Sequence, residues 1–184
     1  SQTAEFFPSA QKSRHGAPQR PGETLRFVNV HQSHASAHLA LDGDAGANDT
    51  VEEVETVCID DLVPGGISAL IKLDVEGAEI AAIDGADRTI REGSVFIYED
   101  HGSDLGSAVT RHFMGQGGIA VFAIETRPQR VPDAEHLARI KTDRYKGYNF
   151  LAGREDSGLL AAIIDCFEKN DGADKPNASD TGGP

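Results

Sequence analysis

Between residues 25 and 153 the chain alternates short apolar runs with amphipathic stretches. The runs LRFVNV (25–30), VETVCI (54–59), SALIKLDV (68–75), SVFIYED (94–100), IAVFAIET (119–126) and YNFLAG (148–153) predict strands. ALIKLDV and VFIYE are β-branched or aromatic and nearly unbroken, as strands covered on both faces tend to be. AEIAAIDGADRTIREG (78–93) predicts a helix with Ile80, Ile83 and Ile90 on one stripe and Gly93 as its stop. SDLGSAVTRHFMGQGG (103–118) predicts another, with Ser103 as N-cap and Leu105, Val109 and Phe113 as the stripe. SGLLAAIIDCFEKN (157–170) repeats the logic with Leu159, Leu160, Ile163, Ile164 and Phe167. The order strand–helix–strand–helix–strand predicts an α/β domain whose sheet is mostly parallel, with right-handed crossovers. The polar excursion RPQRVPDAEHLARIKTDRYKG (127–147) then separates two strands expected to pair antiparallel at a C-terminal sheet edge.

Composition sets the limits of this unit. The first 22 residues are polar with three prolines, and Lys169 to Pro184 is rich in Gly, Asp, Asn and Pro. Neither end has the apolar content to offset the entropy of ordering, so both are expected as mobile tails around one domain at 23–168. Seventeen Lys and Arg against 30 Asp and Glu give a net charge of −13. A chain of that charge repels phosphate backbones and anionic lipid. Its densest basic stretch, Arg139 to Lys146, is interrupted by Asp143, so no nucleic-acid partner is expected. No apolar run approaches the roughly 20 residues of a membrane span. With no secretory leader in SQTAEFFPSA, a reduced, cytoplasmic setting is expected. Cys58 and Cys166 match no metal or redox spacing and read as buried apolar residues. His31, His34 and His38 would share a helical face, but their surroundings read as strand, turn and strand. No carboxylate or cysteine completes a site there, and no metal is expected.

Ligands of open α/β sheets bind at the carboxyl ends of the strands. One strand ends IKLDVEGAE and the next YEDHG. If they are neighbours, Asp74, Glu76, Glu99 and His101 converge on one rim, able to take a proton from a hydroxyl or hold a divalent cation. Plainer readings stand beside that one. Glu76 and Glu79 sit in the first turn of a helix, where acids stabilise the positive end of the dipole. Lys72 points the same way as Asp74 by period-two alternation, so the two can form a structural pair. His101 next to Gly102 reads equally as a loop residue. Tyr145 and Tyr148 can line an acceptor pocket or pack an edge strand.

The stretch 54–102 resembles the C-terminal half of FkbM-type methyltransferases. It carries Ile59-Asp60-Asp61-Leu62, Lys72-Leu73-Asp74-Val75-Glu76-Gly77-Ala78-Glu79, Gly85-Ala86, and Glu99 with His101. The resemblance implies a Rossmann-like class I fold and S-adenosylmethionine as cofactor. It also implies a small-molecule or glycan acceptor methylated on a hydroxyl of a sugar, lipid or polyketide-like group. By position, Asp74 and Glu76 would line the cleft near the transferred methyl, and Glu99 and His101 would face the acceptor. His101 or Asp74 would act as base, and Asp60 and Asp61 would contact cofactor or cap a turn.

The family's cofactor cradle, a strand ending in a Gly-rich turn that opens a helix, has no counterpart here. Upstream of Thr56 the glycines are Gly16, Gly22, Gly43 and Gly46, and none follows an apolar strand. LRFVNVHQSHASAHLALDG instead matches the strand pair after the family's cofactor-binding half. The chain is therefore expected to correspond to the C-terminal part of such an enzyme and to bind S-adenosylmethionine weakly. Two other readings follow from the same residues: a catalytically inactive methyltransferase-like module that binds a partner or oligomerises, and a divalent-metal hydrolase using the acidic rim. Exposed strands left by a missing half favour self-association.

Overall fold

A computed structural model of the chain describes residues 24–29, 37–39, 50–75 and 78–170. The expectations for residues 1–22, for His31, His34 and Glu76, and for 171–184 lie outside the described residues. A small antiparallel sheet comes first, with β1 (Thr24–Asn29) between β2 (Ala37–Leu39) and β3 (Thr50–Glu55). His38 lies in β2 opposite Val28, so that part of the histidine stretch is strand, as its pattern predicts. The run predicted at 54–59 divides. β3 ends at Glu55, and Ile59 opens the one-turn helix α1 (Ile59–Leu62).

The second sheet has five strands in the order β4-β5-β8-β6-β7. They are β4 (Leu70–Leu73), β5 (Val95–His101), β6 (Ile119–Ile124), β7 (Pro128–Arg130) and β8 (Gly147–Arg154). The expectation of a mostly parallel sheet is corrected here. β4 and β5 pair parallel, while β5–β8, β8–β6 and β6–β7 all pair antiparallel. β4, β5 and β6 nevertheless run the same way. The reason for the difference is β8. It returns from the polar excursion and inserts between β5 and β6, so the strand expected at an edge lies in the interior of the sheet. Tyr148 and the run Phe150–Gly153 are buried, which an unbroken apolar strand requires when both its faces are covered.

The helices divide between the two faces. Phe96 and Tyr98 of β5, Phe150 and Ala152 of β8 and Val121 of β6 point to one side, where Ile83, Ile90, Phe113 and Leu137 close over them. These come from α2 (Glu79–Asp84), α3 (Asp87–Arg91), α4 (Ala108–Gly115) and α5 (Ala134–Ile140). The Phe113 ring lies 5.5 Å from Phe96 and 5.1 Å from Tyr98, and Tyr98 stacks on Phe150 at 5.6 Å. On the opposite face Val95, Ala120 and Leu151 pack under Leu160 of α6 (Gly158–Asn170). α6 ends at Asn170, where the apolar pattern predicts the end of this helix.

Several local expectations change. The helix predicted over 78–93 is two short helices broken at Gly85 and Ala86, and Ile80 stays partly exposed at the start of the first. α4 begins at Ala108 with Ser107, not Ser103, at the N-cap, so Leu105 lies in the preceding loop and is 88% exposed. Cys58 is half-buried and Cys166 exposed, against the expectation of two buried thiols. Tyr148 is buried and Tyr145 exposed.

Candidate active site

β4 and β5 are neighbours in parallel register, with Lys72 opposite Ile97. Continuing that register by one pleat brings Asp74 to the level of Glu99. Alternation then places Lys72, Asp74, Glu99 and His101 on one face at the carboxyl ends of the two strands. β8 extends the row, because Asn149 lies opposite Glu99 and Gly147 opposite His101. Lys72, Asp74, Glu99, His101 and Asn149 are all exposed. The convergence predicted for Asp74, Glu99 and His101 is therefore present. Glu99 folds over Gly147 so closely that a Cβ there would lie 2.5 Å from its carboxylate carbon.

Asp74 accepts a 2.6 Å hydrogen bond from Lys72 Nζ. That bond, with the charge of the carboxylate, pushes the Lys72 pKa up. Both groups are open to water, so the pair orients the carboxylate without contributing much stability. His101 is tied down differently. Its Nδ1 accepts from the Ser103 backbone N–H at 3.2 Å and meets Ser103 Oγ at 2.7 Å. With Nδ1 accepting, the neutral ring carries its proton on Nε2.

Behind β5 the alternation turns Asp100 inward, where it is 3% exposed. Lys141 Nζ donates to its Oδ1 at 2.5 Å and Thr110 Oγ1 to its Oδ2 at 2.6 Å. Tyr98 Oη donates in turn to Thr110 Oγ1 at 3.2 Å, and burial pushes the Tyr98 phenol far above its ordinary value. Sequence reasoning passed over Lys141 because it lies inside a polar excursion. The signal was its place four residues after Leu137, on the buried stripe of α5.

Asp60 stands elsewhere. Its two carboxylate oxygens accept from the backbone N–H groups of Arg88 and Thr89, both at 2.8 Å, and so cap α3. Burial works to raise its pKa, but these N–H groups and the Arg88 guanidinium outweigh it and hold the carboxyl below the usual carboxylate range. Asp61 is exposed. Asp60→Ala removes a helix cap and is expected to cost about 1–2 kcal/mol. Because the folded pKa is depressed, the contribution is present above the ordinary carboxylate pKa and lost as pH falls through the folded value. Urea unfolding of the wild type and the variant at about pH 7 and about pH 3 checks this. The gap between them should narrow at the lower pH.

Among the described residues no three His, Cys, Asp or Glu side chains group as a metal site. No helix among them is long and apolar enough to cross a membrane. The family description "methyltransferase FkbM domain" matches residues 9–109, more than half of the chain. The chain belongs to the FkbM methyltransferase family. The FkbM match runs past β5 into the start of α4 and so contains Asp60, Asp74, Glu76, Glu99 and His101. Lys141, Tyr145 and Asn149 lie beyond it. Comparison with curated proteins and with solved structures returns no match.

Proposed function

We propose that this FkbM domain supplies the acceptor side of an S-adenosylmethionine-dependent O-methyltransferase acting on a small-molecule or glycan hydroxyl. The observation that carries the reading is the exposed row of Asp74, Glu99, His101 and Asn149 across three adjacent strands. The donor set suits the methyl-donating end of the cofactor, since two carboxylates complement a sulfonium cation. Among the described residues no glycine turn supplies the adenosine end. The described glycines with positive φ, Gly66, Gly93 and Gly118, each precede a strand, whereas a cradle needs one between a strand and the helix that follows.

When bound, S-adenosylmethionine supplies an electrophilic methyl group. The residues of this chain orient the acceptor and take its proton. Asp74 is the proton acceptor in this reading, held by the exposed Lys72 ammonium and released from it at little cost. His101 presents Nε2–H outward because Nδ1 is occupied by Ser103, and it donates to an acceptor oxygen. Glu99 and Asn149 hold neighbouring hydroxyls.

Titration calorimetry with S-adenosylmethionine tests the proposal, because S-adenosylhomocysteine has no sulfonium for the carboxylates to complement. Saturable binding is expected, even if only at about 1 mM, roughly 4 kcal/mol, and Asp74→Ala should weaken it by at least about tenfold. No binding by the folded chain would overturn the proposal and favour a methyltransferase-like module without catalysis. Binding unaffected by Asp74→Ala would remove Asp74 from the cleft.

A further inference from the structure

The buried ammonium of Lys141 lies behind β5, on the far side of the strand from Asp74, yet its hydrogen bonds bracket the loop that follows His101. An ammonium has three donors. One goes to Asp100 Oδ1 at 2.5 Å, one to the Asp104 carbonyl at 2.7 Å and one to Ser107 Oγ at 2.9 Å. The acceptors stand at the end of β5, in the middle of the loop and at the N-cap of α4. The lysine side chain is 5% exposed and the Asp100 side chain 2%.

We propose that Lys141 is a positioning residue for His101, fixing the 102–107 loop and through it the orientation and tautomer of the imidazole. The proposal rests on the reading of His101 as an acceptor-side donor. Three features of the loop support it. Ser107 adopts φ 49°, a left-handed conformation that a non-glycine residue holds only when its surroundings impose it, and Lys141 grips its hydroxyl. Asp104, whose carbonyl Lys141 holds, turns its carboxylate to the N–H groups of Gly106 and Ala108, at 2.9 and 2.8 Å. The Ser103 N–H that selects the His101 tautomer lies within the same clamp. A core that needed only apolar packing would be served as well by a hydrophobic side chain in place of the ion pair. Such a residue would leave the Asp104 carbonyl and the Ser107 hydroxyl without their partner.

The test uses the full chain labelled with ¹⁵N and needs no cofactor. At about pH 8.5, above the ordinary imidazole pKa, the two ring nitrogen shifts report the tautomer of His101. Amide hydrogen exchange reports the Ser103 N–H. The double variant Lys141→Met with Asp100→Asn removes both buried charges together. Ser107→Ala removes one acceptor and leaves the ion pair intact, which keeps the question answerable if the double variant does not fold. The wild type should hold one tautomer with the proton on Nε2. In the double variant the ring should average between tautomers and Ser103 should lose about tenfold in protection, while Phe96 and Tyr98 of β5 keep theirs. Ser107→Ala should move both readouts in the same direction by a smaller amount. Lys141→Arg, which keeps the charge but not the tetrahedral donors, should restore the ion pair without restoring the tautomer. Unchanged shifts and unchanged Ser103 protection in the folded variants would overturn the proposal. So would a loss of protection that spreads equally through β5 and β8, because Lys141 would then act on stability alone. A failed titration with S-adenosylmethionine would leave these readouts standing, so the two proposals fail separately.

Discussion

Asp100→Ala is expected to destabilise the fold by about 3–5 kcal/mol. The lysine it leaves behind has a side chain only 5% exposed and cannot turn to water without dismantling the contacts that α5 makes. Thr110 Oγ1 also loses its acceptor, and Tyr98 Oη depends on Thr110 in turn. A buried charge without a partner costs far more than the pair itself contributes, because the desolvation of both ions already offsets most of their attraction. Adding Lys141→Met to Asp100→Ala should therefore recover a large part of the loss. Urea unfolding of the two variants measures it, with a shift in midpoint and little change in slope. A single-variant loss below about 1 kcal/mol would mean that the pair behaves like one at the surface.

Gly102→Val ranks next. Gly102 donates its N–H to the Lys146 carbonyl at 2.8 Å, drawing the 102–107 and 142–146 loops together. A Cβ on it would overlap the Asp143 carbonyl, with that carbonyl carbon at 2.9 Å and Arg144 Cα at 3.0 Å. Every one of these atoms is backbone and cannot swing aside as a long side chain would. The φ of Gly102 is not positive, so the requirement for glycine here is one of space rather than torsion. Separating the loops also disturbs the 2.8 Å bond from the Asp143 N–H to Tyr148 Oη. A cost of about 3 kcal/mol is expected in thermal or urea unfolding, at the upper end of what overpacking usually exacts. A tolerated valine would show that the two loops are not held in register.

What the sequence made visible follows from the range of the forces involved. β5 was legible because VFIYE has to be buried on both faces wherever it lies. Its neighbour β4 was legible because the intervening segment is amphipathic and of crossover length. The juxtaposition of Asp74 with Glu99 and His101 followed from those two facts. The insertion of β8 was not legible, since the local pattern of YNFLAG announces a buried strand but not which strands it parts. The Ser103 cap failed because Asp104 supplies the carboxylate that holds the Ala108 N–H, and the αL turn at Ser107 depends on a lysine far along the chain. Gly85 and Ala86 look compatible with a continuous helix because Ile83 and Ile90 keep the apolar spacing across the break. Asp60 shows the same limit: its acidic pair reads as a turn, but the helix it caps begins at Asp87.

The place of β8 in the sheet also bears on how the protein comes off the ribosome. β5 and β6 emerge well before β8, which stands between them in the finished sheet. β5 already has β4 beside it and β6 has β7, but the edge that each turns to β8 must wait until residue 154 has been made, and Val95 and Ala120 wait longer still for α6. The main sheet therefore closes in one late step. Until then the nascent chain presents two open strand edges to its surroundings, and its yield in the cell should depend on chaperone capacity more than its final stability would suggest.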